Sequence, residues 1–584
     1  MLRKSLVTAV LALAVGCTDE TGDTHEGEGG SPPSSPTNFV CDDALVPAQT
    51  PLRRMSLVQY RNTVSDLVAF ANPTEGATIF DGVAPLFDRV PKDVRTGTDK
   101  HYGKLSRLDQ AVQQEHADAA YAISTAVGTA LTSTPERLAV LAGECATDGD
   151  PSNDDACLDA FIQRFGERAM RRAVTTDDVA FYREVAGAAP FDAADYADVV
   201  AMLLMSPHAL FFVEHGADGE TGARAKLGAY ELASRLSYHF WQAPPDDELF
   251  DAARTGDLLT DAGYAKEVDR VFSSPKTREA VREFFREWLE NTTLDELDSR
   301  VGMPVFDALR GDFTPGPELR ERMIDEVADA ALYYAFDDTQ GTLAGFLESD
   351  RSFATTEDLA EIYGTPVWSG GEPPTFPEGT RAGLITRAAF VATGSFNTRP
   401  IMKGVFIRKA LLCDEIPDPP ANAAANAPML SDNQTTREVV ETLTNTGSCS
   451  GCHTTTINPL GFATENYDSL GRVRTEQVFY DEETGAVLGS APVDTTSVPR
   501  VDKGDDTESS GAADLTGLIT ASDKPYACFA RHYFRFTFGR FEDLDRDGCA
   551  LASVKDPIDD GAPLAEALRS IALTPAFRER TFED

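Results

Sequence analysis

The chain has 584 residues, of which 42% are hydrophobic, and its formal net charge is −43. This length exceeds what one ordinary hydrophobic core accommodates, so we expect several domains. The charge argues against nucleic acid as a partner, because phosphate binding needs clustered Lys and Arg. We interpret the excess of acid as a solvated, self-repelling surface that keeps the protein soluble.

The first 17 residues have the features of an export signal. Arg3 and Lys4 precede an apolar run, residues 6–15, that is too short to span a bilayer. The run ends in A-V-G-C, which resembles a bacterial lipobox and implies a lipid on Cys17; an ordinary cleaved signal is the alternative. No later apolar run has membrane length, so we expect an exported protein, lipid-anchored to a bacterial membrane and facing the periplasm or the cell surface.

Helical patterns dominate the rest of the chain. Residues 18–48 are rich in Gly, Ser, Pro and acid and predict a flexible linker. Apolar residues then recur at helical spacing, with Ser56 as a predicted N-cap and an aromatic stripe around Trp288 interpreted as core. Only residues 474–498 indicate strand, with a Glu-Thr-Gly turn inside. The sequence predicts a mainly α, multi-domain protein with a small β insertion.

The pentapeptide C-S-G-C-H, residues 449–453, is typical of covalent haem attachment. The spacing predicts that Cys449 and Cys452 lie on one face of a single helical turn, where they would bind haem through thioethers, with His453 as the proximal ligand of the iron. Three alternatives compete. A redox C-x-x-C favours a βαβ unit, a zinc site needs two further Cys or His nearby, and a disulfide at this spacing is strained. Neither the βαβ unit nor the extra zinc ligands are evident, so we predict one covalent haem c.

The distal ligand of that haem is left open by the sequence. No Met follows Met429, which excludes the arrangement of small c-type cytochromes that take a later Met. The candidates are Met402 and Met429 upstream and His532 downstream, the last of which is equally well explained as a core histidine. An open iron is the other alternative, and it would permit ligand chemistry.

Nine cysteines suit an oxidising compartment. Without Cys17 for lipid and the two haem cysteines, 9 − 1 − 2 leaves six, an even number. We predict three disulfides, which pair Cys145 with Cys157 across a polar loop, Cys528 with Cys549, and Cys41 with Cys413 by elimination. Fifteen connectivities are formally open.

One acidic loop resembles part of a calcium site. Asp543, Asp545, Asp547 and Gly548 match the first half of a calcium loop, but Val554 stands at its twelfth position. An acidic turn or helix cap is therefore the preferred interpretation. The sequence lacks the G-x-S-x-G, H-E-x-x-H and P-loop motifs, so it leaves open whether the protein is an enzyme.

Several segments together carry a family resemblance. They include "LRRMSLVQYRNTVSDL", "FGERAMRRAVTTDDVAFY", "LGAYELASRLSYHFWQAPPDDELFDAARTGDL", "RPIMKGVFIRKALLCDEIPDPP", "CSGCHTTTINPLGFATENYDSLGRVR" and "FRFTFGR". In this order they resemble the large secreted proteins of planctomycetes and myxobacteria that string planctomycete-specific (PSD-type) domains around a planctomycete cytochrome c-like (PSCyt-type) domain. The resemblance covers nearly everything after residue 48.

The resemblance implies a domain order and a haem motif. The expected helical domains are residues 49–148, 149–217, 218–377 and 499–584, with a cytochrome c-like domain at 378–498. The family's haem residues carry over to Cys449, Cys452 and His453. Asn458 and Tyr467 depart from the commoner Asp and Phe, which puts in doubt any role of an acid near the haem.

These observations favour an exported, membrane-anchored c-type haem protein that transfers electrons to or from an unknown redox partner. The alternatives are a haem-linked oxidoreductase acting on an extracellular polysaccharide or other polymer, and a surface binding protein without haem.

Overall fold

The computed structural model describes residues 36–582 except 43, 96–102, 218, 221, 291, 418–430 and 448. The predicted signal peptide with Cys17, much of the predicted linker, and Met429 lie outside the described residues. Within them the protein is mainly helical, as predicted, and none of the helices is both long and apolar enough to cross a bilayer.

The first helices enclose a hydrophobic core of their own. Ser56 begins the first helix as predicted: its hydroxyl accepts from the Gln59 amide, and the Gln59 side chain accepts from the Ser56 amide. Phe161, Phe165 and Tyr196 are buried at the centre of this core. The helices are Leu57–Ala71, Gly76–Val83, Gln114–Leu131, Pro135–Ala142, Asp154–Met170, Thr176–Ala186, Ala193–Leu204 and Pro207–Leu210.

Most of the later helices share a second and larger core. The predicted stripe on Lys276–Leu289 is confirmed as core, because the Trp288 and Phe284 rings pack against Phe529. The other helices are Ala229–Phe240, Asp247–Thr255, Asp261–Phe272, Pro304–Arg310, Leu319–Leu332, Leu343–Glu348, Glu357–Tyr363, Ala388–Val391, Pro400–Phe406, Thr436–Thr444, Cys449–Cys452, Asn458–Phe462, Ala512–Ala521, Lys524–Phe538, Gly548–Asp559, Leu564–Ser570 and Pro575–Arg578.

Strand is confined, within the described residues, to two-stranded antiparallel ladders. Glu476–Tyr480 pairs with Val487–Pro492, which confirms the predicted β insertion. Two further ladders were not predicted, because strands of two or three residues are too short to show an alternating pattern. Arg53–Arg54 pairs with Phe211–Phe212, and Arg224–Lys226 pairs with Glu579–Thr581 near the C-terminus.

Three disulfides form, but only one has the predicted pairing. Cys145 bonds to Cys157, as expected; Cys41 bonds to Cys549 and Cys413 to Cys528, so the predicted pairs Cys528–Cys549 and Cys41–Cys413 are wrong. Cys528 lies on a buried helix face against the Ala410 carbonyl, next to Cys413. Gly548, beside Cys549, packs directly on the Val40 carbonyl. Tertiary packing, rather than a short connecting loop, therefore decides these two pairs.

The end of the predicted linker is held against the fold. Besides the Cys41–Cys549 disulfide, the Ala48 amide donates to Asp547 at 3.4 Å, and the Arg546 guanidinium donates to the Val46 carbonyl at 2.8 Å.

A fully buried ion pair joins two parts of the larger core. Glu326, on Leu319–Leu332, binds Arg387, and their side chains are 1% and 0% exposed. The Tyr363 hydroxyl also donates to Glu326 at 3.2 Å, and Arg387 donates to the Ser349 hydroxyl at 3.1 Å. Burial raises the pKa of Glu326, and the Arg387 charge opposes that rise. Each buried charge is therefore compensated by the other.

Removing one partner of this pair tests how far the fold depends on it. We expect Arg387→Met to lower the free energy of unfolding by about 3–5 kcal/mol, because Glu326 is left as an uncompensated buried charge. Urea denaturation measures the change. Arg322→Met, which breaks an exposed pair with Glu318 at one end of the same helix, is the control and should cost about 0.2–1 kcal/mol. Equal losses in the two variants would contradict this role.

Candidate functional site

The motif C-S-G-C-H forms a single helical turn followed by a wider one. Cys449–Cys452 is α-helical, and His453–Ile457 continues it as a π-helical turn. Cys449 is buried, Cys452 is partly buried, and neither thiol is in a disulfide. Burial raises the pKa of the Cys449 thiol, which keeps it protonated at neutral pH. Both thiols are therefore free of any disulfide and can react with a bound group.

The geometry disfavours two alternatives for this motif. The other six described cysteines all form disulfides, whereas Cys449 and Cys452 do not. Zinc needs ligand atoms gathered around one point, but the ligand atoms of Cys449, Cys452 and His453 are not gathered in this way. In the described part of the chain, the one such group of Cys, His and acid ligands is Cys413, Cys528 and His532, of which the two cysteines form a disulfide.

A directed chain of hydrogen bonds fixes the His453 ring. The Thr444 hydroxyl donates to the Val440 carbonyl at 2.7 Å, so its oxygen accepts from the Asn458 amide group at 2.9 Å. This orients the Asn458 carbonyl oxygen toward His453 Nδ1, 3.1 Å away. His453 Nδ1–H is therefore the donor, and Nε2 carries the lone pair.

The His453 imidazole is buried and favours its neutral form. It is 3% exposed, and burial lowers its pKa, an effect that the hydrogen bond to Asn458 partly opposes. None of the residues that the structure describes forms a hydrogen bond with Nε2. A buried, neutral ring with a free Nε2 lone pair is the form of histidine that binds metal.

Two glycines bring the motif against helix Pro400–Phe406. A Cβ on Gly404 would lie 2.0 Å from the Ile457 carbonyl oxygen, and a Cβ on Gly461 would lie 1.9 Å from the Pro400 carbonyl oxygen. Both distances are far below van der Waals contact, so neither position accepts a side chain without movement of the backbone. The segment that follows His453 is thereby held in backbone contact with this helix.

Arg408 binds the backbone of the turn that follows His453. It lies on the π-helical turn that continues helix Pro400–Phe406. Its guanidinium donates to the Thr456 carbonyl at 3.2 and 3.3 Å and to Asp414 at 2.9 Å. Asp414 also accepts from Lys524 at 2.8 Å, so the motif is linked to the C-terminal helices. Arg408 and Asp414 are both buried.

A small apolar cluster lies beside Cys452 and meets the larger core at Val405. Its buried members are Ile401, Val440, Ile457 and Phe462, with Val405, Ile416 and Cys452 packed against it. The motif thus has an apolar neighbourhood.

Two of the three predicted distal ligands, Met402 and His532, lie within the described residues. Met402 packs in the large core, although its neighbour Ile401 faces the small cluster. His532 is buried with neither ring nitrogen hydrogen-bonded, stacked on Trp288 at 5.8 Å between ring centres. Met429 lies outside the described residues. The packing therefore places Met402 and His532 with the large core, and the identity of a distal ligand stays a prediction.

Family descriptions match three stretches of the chain. Residues 157–214 match PSD5, protein of unknown function (DUF1595), and residues 227–365 match PSD4, protein of unknown function (DUF1592). Residues 381–477, which contain the C-S-G-C-H motif, match PSCyt3, protein of unknown function (DUF1588). The chain thus carries these three domains in this order. This confirms the resemblance found in the sequence.

The family descriptions leave the function open. Only the name PSCyt3 points to a cytochrome, and no curated protein or solved structure is significantly similar to the chain. The predicted domain boundaries stay predictions.

The PSCyt3 region also buries a polar cluster that sequence reasoning missed. Lys403 is 5% exposed, and burial lowers its pKa to about 8, against the opposing charge of Glu465. Glu465 accepts from Thr398 at 2.8 Å and from Arg474 at 3.2 Å. The available signal was the single Lys in the apolar stretch "RPIMKGVF".

A cleft adjoins this polar cluster. It has about 690 Å³ of empty space including its mouth, and Thr398, Asp468, Arg472 and Arg474 are among the residues that line it. The PSCyt3 region therefore combines the motif with a polar concave surface.

The acidic loop at residues 543–548 is a helix entry. Both oxygens of Asp547 accept from Arg540, at 2.7 and 2.8 Å. Asp543 accepts from the Asp545 and Arg546 amides, both at 3.1 Å. These contacts agree with the preferred interpretation as an acidic turn before Gly548–Asp559.

Adding a methyl group at Gly461 tests the close contact that positions the motif. We expect Gly461→Ala to lower the free energy of unfolding by about 1–3 kcal/mol, because the new Cβ overlaps the Pro400 carbonyl and forces the two segments apart. Gly451→Ala is the control within the motif, where a Cβ meets nothing within 4 Å. It should be neutral or stabilising by up to about 1 kcal/mol. Chemical denaturation of both proteins makes the comparison, and similar losses would argue against the contact.

Proposed function

We propose that the PSCyt3 region binds one haem covalently through Cys449 and Cys452, with His453 as an axial ligand. In this proposal the protein is exported, lipid-anchored through Cys17, and transfers electrons to or from a redox partner. The observation that carries it is the hydrogen-bond chain from Val440 to His453, which leaves the Nε2 lone pair free.

The residues present fit this group. Cys449 and Cys452 supply two thiols one turn apart, which matches covalent attachment at two points of one ring system. The small cluster around Ile401 and Phe462 offers an apolar neighbour for a haem face. Three disulfides elsewhere in the chain suit export to an oxidising compartment, where covalent attachment retains the cofactor.

Bound haem supplies one-electron redox chemistry, and the protein sets its potential through the axial ligand and the groups bonded to it. Asn458 orients the His453 ring through a neutral hydrogen bond. Gly404, Gly461 and Arg408 hold the backbone of the same segment. The chain's own residues thus provide attachment, ligation and orientation.

The cleft beside Lys403 supports a second candidate function. Its arginines and acids could bind hydroxyls or charged groups of an extracellular polymer, in which case electrons would pass from a substrate to the haem. In this candidate the protein is an oxidoreductase, and a shift of the haem spectrum on adding cyanide or carbon monoxide would favour it by indicating an open iron.

A visible spectrum tests haem attachment directly. Protein exported from a host with c-type cytochrome maturation should show sharp reduced α and Soret bands, and the haem should stay with the polypeptide after denaturation, because the attachment is covalent. The double variant Cys449→Ala/Cys452→Ala should lose them. The control Cys145→Ala/Cys157→Ala removes two cysteines elsewhere and should keep them. Absence of the bands from the unmodified protein would contradict haem attachment. The remaining alternative would then be a surface binding protein that contains no haem.

A substitution at Asn458 tests whether the acceptor of the His453 hydrogen bond sets the haem potential. We expect Asn458→Asp to lower the midpoint potential of the haem, because a carboxylate acceptor gives the His453 ring more anionic character and so favours oxidised iron. A redox titration followed at the α band measures the shift. Asn445→Asp adds the same charge at an exposed position next to Thr444 and is the control. Equal shifts in both variants would show a general charge effect instead.

A further inference from the structure

A cavity lined by arginines lies between the first helices and the C-terminal ones. It has about 460 Å³ of empty space including its mouth, and Arg53, Arg54, Arg107 and Arg235 all contribute to its lining. The last three are 8%, 7% and 6% exposed. Four guanidinium groups around one cavity are unexpected in a chain with a net charge of −43.

Two of these arginines have carboxylate partners. Arg54 pairs with Asp93 at 2.6 Å and with Asp109 at 3.1 Å. Arg235 binds Glu214 through two bonds, at 2.9 and 2.5 Å. Their charges are compensated within the protein.

The other two arginines have no carboxylate within ion-pair distance among the described residues. Arg107 donates to the Phe536 carbonyl at 3.3 Å and to the His239 carbonyl at 3.5 Å, and its Nε, although buried, has no partner. Arg53 donates to the Thr537 carbonyl at 3.3 Å and lies over the Phe212 ring. The two guanidiniums therefore converge on consecutive carbonyls at the end of one helix.

The acids that act on these two guanidiniums lie beyond ion-pair distance of them. Glu283 and Glu287 act on Arg107, but burial and their mutual repulsion raise the pKa of Glu283, which favours its protonated form. Glu214 acts on Arg53, but both of its oxygens are already bound by Arg235. The partial charge of a helix C-terminus, roughly half an elementary charge, is too small to balance two guanidiniums.

His239 lines the same cavity with an unused acceptor. The Tyr533 hydroxyl donates to the Leu568 carbonyl at 2.8 Å, so its oxygen accepts from His239 Nε2–H at 3.1 Å. The buried Nδ1 then carries a lone pair with no partner. An occupant of the cavity would satisfy it by donating a hydrogen bond.

We propose that this cavity binds a small oxyanion that carries a hydroxyl group, of which hydrogen phosphate is the simplest example. Its oxygens accept from Arg53 and Arg107, and its hydroxyl donates to His239 Nδ1. Charge-assisted bonds of this kind are strong in a site shielded from water. The acidic surface repels anions at long range, so binding depends on these local contacts.

Calorimetry of the full-length protein with inorganic phosphate tests the proposal, at an ionic strength held constant with sodium chloride. We expect phosphate to bind and to raise the melting temperature, because a ligand that binds only the folded state stabilises it. Sulfate, which has no hydroxyl at neutral pH, should bind more weakly. Arg53→Gln and Arg107→Gln should each weaken phosphate binding by about tenfold or more, because each removes charge-assisted hydrogen bonds.

Arg137→Gln is the matched control, because Arg137 lies outside the cavity in an exposed pair with Glu75. It should leave the phosphate affinity unchanged. Arg53 is only partly buried, so its variant keeps the test valid if Arg107→Gln does not fold. Lack of phosphate binding to the unmodified protein, unchanged affinity in Arg53→Gln, or equally tight binding of sulfate would each overturn the proposal.

Discussion

The backbone contact between helix Pro400–Phe406 and the segment after His453 is the constraint on which the candidate site depends. Only glycine fits at Gly404 and Gly461, where the two segments face each other's carbonyls. Arg408, in the turn that continues this helix, then binds the Thr456 carbonyl. Because interiors are close-packed, this contact leaves the turn little freedom, and the hydrogen bond to Asn458 then orients the His453 ring.

The acceptor that orients His453 is uncharged. The hydrogen-bond chain through Thr444 and Asn458 ends at the Val440 carbonyl and contains no ionised group. The departure from Asp noted in the sequence therefore keeps the geometry of an acceptor to His453 Nδ1 and removes its charge. A neutral acceptor stabilises oxidised iron less than a carboxylate does, so the proposed haem site is expected to have a higher potential than one with Asp at this position.

Local patterns made much of the fold predictable. The Ser56 cap, the hairpin within residues 474–498 and the Cys145–Cys157 disulfide each depend on residues close in sequence. The motif at residues 449–453 is equally local, which is why its residues were found. The Cys41–Cys549 disulfide and the Lys403–Glu465 cluster depend on packing between distant segments, which no periodicity reveals. The hydrogen bond from His453 to Asn458 was likewise hidden, since it needs the π-helical turn between them.

Buried ion pairs also bear on why the matched domains occur in one chain. Glu214 ends the PSD5 match and binds Arg235 of the PSD4 match, and Glu326 of PSD4 binds Arg387 of PSCyt3. Both pairs are almost completely shielded from water. Removing one partner of either pair would leave the other as a buried, uncompensated charge, which costs far more than breaking an exposed pair. The three regions therefore form one continuous structure, and the C-S-G-C-H motif is held by the same framework that encloses the arginine-lined cavity.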